Sequence, residues 1–207
     1  NWVRYDQSNL STGSGFGAAW ADQKPLYPAS VVKLVYAVAV EAWLQKGLLL
    51  ETEELRRAVN DMIAISSNDA TGLVVDCLTG TSSGPDLQGE AWVSWQRQRQ
   101  LVNEWLSDFG WGEFERVNCC QKTWGDGPYG REQRFYGENN CNRNALTTAS
   151  VSRLLEAVMT DGLLSPPACH RLRSALARSL DQGERDADPE NQVDGFLGEG
   201  LPANSRL

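Results

Sequence analysis

The sequence has few of the residues that bind transition metals. It contains one histidine, His170, and five cysteines without a CxxC pair. Zinc sites need closely spaced Cys and His ligands, so we expect no metal and no cofactor. The cysteines are predicted to be buried thiols, with a disulfide from Cys119 or Cys120 to Cys141 as the alternative in an exported protein. His170 is predicted at the surface, outside any Ser-His-Asp triad.

Lysine is also scarce, the basic residues are mostly arginine, and the formal net charge is −8. Lysine occurs at only four positions: Lys24, Lys33, Lys46 and Lys122. Binding to nucleic acid needs a basic face, so nucleic acid is not an expected partner. No apolar run reaches the length of about 18 residues that a membrane span requires. The longest apolar stretch, residues 31–44, is interrupted by Lys33 and Glu41 and is predicted to be a buried helix.

The order of predicted elements is strands first and helices afterwards. Residues 1–28 have the pattern of a short β-meander with a turn at 11–17. Helices are predicted at 30–45, from Thr52, at 70–78, at 90–109, from Thr147 or Thr148, and from Ser165. The long segment 110–144 is rich in aromatic residues and is predicted to be an ordered loop, whereas 181–207 is predicted to be coil. This order favours an α/β (α+β) fold.

Ser30 and Lys33 form an SxxK pair at the start of the first predicted helix. Residues three apart share a helix face, so the hydroxyl and the amine are expected within hydrogen-bond reach. The helix N-terminus favours the negative charge that a serine nucleophile develops. Burial in an apolar helix lowers the pKa of a lysine, which makes it a base for the serine. The alternative is a capping serine and a lysine that extends to solvent.

A second polar group, Ser66-Ser67-Asn68, follows the helix that begins near Thr52. In an extended turn, Ser66 and Asn68 project to the same side. The serine is then placed to relay a proton to a leaving group, and the asparagine amide is placed to hold a substrate carbonyl and the lysine. The alternative is a helix cap, because Ser, Asn and Asp are all good capping residues.

Together these motifs resemble the SxxK and S-D-N motifs of class A β-lactamases and penicillin-binding proteins. The sequence reads YPASVVKL at 27–34 and MIAISSNDAT at 62–71, with Ser67 where the family has Asp. Residues 142–148 resemble the end of the class A omega loop and the helix after it. The resemblance implies the following roles: Ser30 is the acylated nucleophile, Lys33 its base partner, Ser66 the proton-shuttling serine and Asn68 the substrate-orienting amide.

The resemblance also implies a β-lactamase/transpeptidase-like fold for residues 1–207 as one catalytic domain. The helical lobe is expected at about 46–180, and the strands of 1–28 are expected to belong to an antiparallel sheet. The expected substrate is a β-lactam or a peptide-like molecule, and the expected state is a monomer. No signal peptide opens the sequence, and the resemblance implies a periplasmic or extracytoplasmic location.

Several features depart from the family pattern. The omega-loop glutamate has no clean match, and Glu132 and Glu138 are the candidates for activating water. No lysine follows Lys122, so the family's third motif, Lys-Thr/Ser-Gly, and its C-terminal strands are expected to be missing. We therefore expect an acyl-enzyme serine hydrolase of the β-lactamase type. The alternatives are a DD-peptidase-like or esterase-like enzyme and a non-catalytic penicillin-binding module with slow or no turnover.

The loop at residues 124–132 is a further candidate border of the cleft. Tyr129 offers an aromatic contact to a substrate, and Arg131 offers a guanidinium to a substrate carboxylate. The alternative is an ordered turn in which Arg131 pairs with Glu132 or a nearby acid. The tryptophans are predicted to lie in the core.

Overall fold

The computed structural model of the protein describes residues 2–5 and 15–202. Helices dominate this part of the chain, and one long helix lies at its centre. The helices are α1 Val32–Gln45, α2 Glu53–Ala64, α3 Asn68–Thr79, α4 Gly89–Arg99, α5 Leu101–Ser107, α6 Gly130–Phe135, α7 Thr148–Met159, α8 Pro166–Leu176 and α9 Gln182–Ala187. Single turns of 3-10 helix occur at Ala29–Val31, Gly112–Phe114, Glu138–Asn140 and Leu197–Gly200.

Helix α1 forms the centre of the core because its sequence is apolar on every side. Each of residues 32–43 is buried, as a helix without a polar face requires. It packs against α2, α3 and α8. The one acid in this stretch, Glu41, is neutralised by Arg56 of α2 and by Arg171 of α8, whose Nη2 lies 2.6 Å from Glu41 Oε2. The buried charge therefore ties the central helix to two of its neighbours.

Three of the predicted helix starts are confirmed by side-chain caps. The Thr52 hydroxyl accepts from Leu55 N at 3.1 Å, and the Ser67 hydroxyl accepts from Ala70 N at 3.2 Å. Thr147 and Ser150 form a reciprocal capping box at the start of α7. These side chains satisfy backbone N–H groups that have no partner within the helix.

Three predictions differ from the structure, and the first is the segment 110–144, which is expected to be a loop but contains α6. The helix predicted at 90–109 is two helices, because Gln100 N–H turns back to Arg97 O at 3.0 Å, a tighter turn than an α-helix makes. The segment 181–207 was expected to be coil, but it contains α9 and the turn Leu197–Gly200. Asp181 caps α9 by accepting from Glu184 N at 3.0 Å. Residues 203–207 lie outside the described residues.

The strands form a hairpin rather than a broad sheet in the part of the chain that is described. β1 (Trp2–Tyr5) pairs antiparallel with β2 (Gly15–Ala18), with Trp2 opposite Ala18 and Tyr5 opposite Gly15. The predicted turn at 11–17 is shortened, because β2 begins at Gly15, and residues 6–14 lie outside the described residues. Isolated bridges join Leu26 to Leu146 and Asn118 to Ala145. The larger antiparallel sheet stays a prediction.

All five cysteines lie in the described residues, and all are free thiols. Cys119, Cys120 and Cys169 are buried, as predicted, whereas Cys141 is exposed and forms no disulfide. Burial raises the pKa of the Cys120 thiol to about 12, so this thiol is unreactive near neutral pH. No helix in the described ranges is long and apolar enough to cross a membrane.

Candidate active site

The N-terminus of α1 presents Ser30 to solvent on a strained turn. Pro28 leads into the turn, and Ala29 has a φ of 46°, a left-handed conformation that is costly for a residue with a Cβ. The single 3-10 turn Ala29–Val31 then runs directly into α1. Strained residues of this kind persist where surrounding structure over-determines them, and they cluster at functional sites.

A second strained residue, Ser66, lies between α2 and α3. Its φ is 56°, and the amides of Ile65 and Ser67 on either side both donate to Asp61 O at the end of α2. Ser67 caps α3 with its side chain, so the cap predicted for this motif is present. The tight turn directs both the carbonyl and the hydroxyl of Ser66 toward α1.

Lys33 Nζ joins these two turns. It donates to Ser30 Oγ at 3.1 Å, to Ser66 Oγ at 2.9 Å and to Asn68 Oδ1 at 2.9 Å. It also donates to the Ser66 carbonyl. The structure therefore brings together the four residues of the two predicted motifs around one amine. Ser30 and Asn68 are exposed, Ser66 is half-buried and Lys33 is buried, so the hydroxyls face solvent while the amine lies beneath them.

The electrostatic setting of Lys33 suits a base. Lys33 is 2% exposed. Within the described residues its hydrogen-bond partners are neutral oxygen atoms, and it forms no ion pair with an acidic side chain. Burial lowers the pKa of Lys33 from 10.5 to about 8, because removal from water disfavours the ammonium form. A substantial neutral fraction is then present near physiological pH, and a neutral amine accepts a proton.

The orientation of the Asn68 amide follows from the chemistry of its partner. The ammonium form of Lys33 has only donors, so the atom that faces it in that form is the Asn68 carbonyl oxygen. Asn68 Nδ2 therefore points away from Lys33, and the residue is exposed. This arrangement leaves an N–H donor available for an incoming carbonyl group.

Glu132 belongs to a different cluster. It is fully buried in α6, where Oε2 accepts from Arg99 and Oε1 accepts from Ser83 Oγ at 2.8 Å. Lys122 Nζ lies 3.7 Å from Oε1 and donates to Asp76 Oδ2 at 2.6 Å. The prediction that Glu132 activates water does not fit this setting, because both carboxylate oxygens are held by basic or hydroxyl groups away from solvent.

The other predicted site residues lie at the surface or hold loops. Glu138 is exposed at the start of the turn Glu138–Asn140, and Tyr129 is 69% exposed. Arg131 donates from Nε to Pro85 O at 2.9 Å, so its guanidinium holds the loop before α4. The structure thus fits the ordered-turn alternative for Arg131, although its partner is a backbone carbonyl rather than an acid. His170 is exposed, as predicted.

The sequence matches the β-lactamase enzyme family over residues 52–185. This range spans more than half of the chain. The chain belongs to the β-lactamase enzyme family. No significant match to an individual curated protein was found.

The family match includes Ser66 and Asn68 but begins after Ser30 and Lys33. The link between the two halves of the cluster is therefore geometric: Lys33, upstream of the matched range, bonds to both residues within it. The match also includes the buried cluster around Glu132.

Sequence reasoning missed the basic members of that buried cluster in this β-lactamase-family chain. The Arg99 side chain is fully buried. Its guanidinium carbon lies 4.8 Å from the centre of the Trp95 ring. Its neighbours in sequence are polar, so nothing in the pattern signals burial. Lys122 had one usable signal: it is the only lysine after Lys46, and it lies two residues beyond Cys120, a cysteine that the sequence predicts to be buried.

Proposed function

We propose that the protein is a serine hydrolase of the β-lactamase type, acylated at Ser30 by a β-lactam or a related amide or ester and then hydrolysed. The observation that supports this is the position of Lys33 Nζ, 3.1 Å from Ser30 Oγ and 2.9 Å from Ser66 Oγ. An amine whose pKa is about 8 lies between a nucleophile and a proton-relaying hydroxyl.

In the proposed acylation, neutral Lys33 takes the proton of Ser30 while Ser30 Oγ attacks the substrate carbonyl carbon. The amine then returns the proton through Ser66 Oγ to the leaving nitrogen or oxygen. Asn68 Nδ2 holds a carbonyl group of the substrate. The N-terminus of α1 stabilises the negative charge that develops near Ser30, because its N–H groups point toward that charge.

One observation favours slow turnover as the second candidate function. Glu132 is enclosed by Arg99, Lys122 and Ser83, so it is unsuited to activate water for hydrolysis of the acyl-enzyme. A DD-peptidase-like or esterase-like enzyme, or a penicillin-binding module, forms the same Ser30 adduct but releases it slowly. The two candidates therefore differ in deacylation and not in the nucleophile.

The experiment is intact-protein mass spectrometry after incubation with a penicillin, followed by peptide mapping. We expect an adduct of one penicillin on Ser30 that is absent from Ser30→Ala. Ser107→Ala is the matched control, because Ser107 is an exposed serine at the end of α5, and it should retain the adduct. Absence of an adduct from the full-length protein would contradict the proposal. Loss of the adduct within minutes would favour a β-lactamase, and persistence for hours would favour the slow-turnover candidate.

A further inference from the structure

An apolar groove lies beside the turn that presents Ser30. Its volume is about 470 Å³, and its walls come from the turn before α1 and from one face of α7. The apolar residues that line it include Leu26, Tyr27, Pro28, Val31, Val151 and Leu155. Val31 is 48% exposed, although each of residues 32–43 is buried. Contiguous exposed apolar surface in a concave setting is typical of a site that binds an apolar group.

The groove reaches to within one residue of the nucleophile. Pro28 and Val31 both line it, and Val31 N donates to Pro28 O at 3.0 Å, so the turn between them contains Ser30. Adjacent Cα atoms are about 3.8 Å apart, so Ser30 lies directly next to the wall that Val31 forms. Ser30 itself is exposed. A substrate bonded to Ser30 can therefore place part of its structure in the groove.

The groove lies on the side of Ser30 away from the proton-relaying hydroxyl. With about 3.6 residues per helical turn, Val31 is rotated about 100° from Ser30 in one direction, and Lys33 is about 60° from it in the other. Ser66 and Asn68 both bond to Lys33, so they approach the nucleophile from the Lys33 side. In the proposed mechanism the leaving group receives its proton from Ser66. The acyl part of the substrate then extends in the opposite direction, where the groove lies.

The lining of the groove suits an uncharged hydrocarbon chain. None of the residues that line it in the described part of the chain is charged. The Thr147 hydroxyl accepts from Ser150 N at 3.0 Å, so this polar group of the lining is already satisfied. The two walls are joined by backbone hydrogen bonds, from Leu26 N to Leu146 O at 2.9 Å and from Leu146 N to Leu26 O at 3.0 Å. A groove that is already ordered binds an apolar chain at a lower entropic cost.

We propose that this groove binds the acyl chain of the substrate and that the protein prefers esters of straight-chain fatty acids to esters of acetic acid. This inference rests on the proposed function. In the step, Ser30 Oγ bonds to the acyl carbon, and the bond from that carbon to the leaving oxygen breaks. The proton of Ser30 passes through Lys33 and Ser66 to the leaving oxygen, which departs as an alcohol. Water then hydrolyses the acyl-enzyme to the fatty acid and the unmodified serine.

The test measures kcat/KM of the full-length protein for p-nitrophenyl esters of acetic, butyric, hexanoic and octanoic acid, by release of p-nitrophenol. We expect kcat/KM to rise by about two- to fourfold with each added methylene that the groove buries. Leu155→Gln and Val31→Thr each place a polar atom in the groove at similar side-chain volume. Each variant should lower the ratio of the octanoyl to the acetyl kcat/KM by about tenfold, because the polar atom loses water without gaining a partner.

The matched control is Leu73→Gln. Leu73 is 39% exposed on α3 and does not line the groove, whereas Leu155 is 38% exposed on α7 and does. The control should keep the wild-type ratio.

Equal kcat/KM across the ester series, with Ser30 still acylated by the acetyl ester, would overturn the acyl-chain proposal alone. A wild-type ratio in both groove variants would overturn it too, and loss of a dimer in Leu155→Gln would then identify a second copy of the chain as the occupant. Absence of a Ser30 adduct with every ester and with penicillin would overturn the proposed function and this inference together.

Discussion

Lys33 Nζ and Asn68 Oδ1 lie 2.9 Å apart, and this hydrogen bond joins the first turn of α1 to the first residue of α3. The bond matters for reactivity because the acceptor is a neutral amide. A carboxylate in the same place would favour the ammonium form, whereas an amide leaves burial free to lower the pKa of Lys33 to about 8. The contact between the N-termini of α1 and α3 therefore helps to keep the pKa of Lys33 low.

The rate of acylation by a β-lactam should rise with pH through about 8. Only the neutral amine accepts the Ser30 proton, and the lowered pKa of Lys33 means that this form becomes the major one above about pH 8. Stopped-flow measurement of the second-order acylation rate between pH 6 and about 9.5 gives the profile. Lys33→Arg should abolish both the activity and the inflection. A flat wild-type profile over this range would show that Lys33 is not the base.

Asn68→Asp should move that inflection to higher pH. The new carboxylate would lie within hydrogen-bond distance of Lys33 Nζ. An adjacent opposite charge shifts a pKa by about 1 to 3 units, so acylation near neutral pH should fall by about tenfold or more. Asn68→Ala is the control, because it removes the amide without adding a charge. It should slow acylation while the inflection stays near pH 8, and an equal shift in both variants would contradict the electrostatic explanation.

The stability of the wild-type protein should rise relative to Lys33→Met as pH increases from about 8 toward 10.5. The pKa of Lys33 is about 8 when folded and 10.5 when unfolded, so the unfolded chain binds more protons over this window. The cost of burying the ammonium is fully present below pH 8 and disappears above 10.5. Urea unfolding of both proteins at several pH values measures the difference. A constant difference across the window would be inconsistent with the lowered pKa.

Glu132→Gln should destabilise the protein by about 3 to 5 kcal/mol, because it leaves the buried Arg99 guanidinium without its ion-pair partner. The double variant Arg99→Met with Glu132→Met removes both charges and should recover much of that loss. Denaturant unfolding of the single and double variants gives the coupling free energy. If Glu132→Gln instead kept wild-type stability and lost only deacylation, Glu132 would be the water-activating residue after all.

Gly130→Ala should cost more stability than Gly47→Ala. Both glycines have positive φ values, 52° and 68°, so an alanine at either costs about 1 to 2 kcal/mol. A Cβ at Gly130 would also overlap the carbonyl of Gly84, whereas one at Gly47 meets no atom within 4 Å. Thermal unfolding of the two variants checks the order. Equal losses would mean that the close approach of Gly130 to Gly84 is not maintained in solution.

The sequence alone determined the features that depend on local geometry. The interval of three residues between Ser30 and Lys33 places them on one helix face, and Thr52, Ser67 and Thr147 cap helices through contacts three residues away. The apolar pattern of 31–44 determined that its helix is central, because a helix without a polar face must be buried.

Only the tertiary structure decided how distant residues meet. Ser66 and Asn68 reach Lys33 across more than thirty residues because α2 folds back onto α1 and ends in a strained turn at Ser66. The same packing places Glu132 against Arg99, thirty-three residues away, and so turns a candidate base into a buried ion-pair partner. Which charged groups lose water and which keep it depends on long-range contacts, and no local pattern in the sequence specifies them.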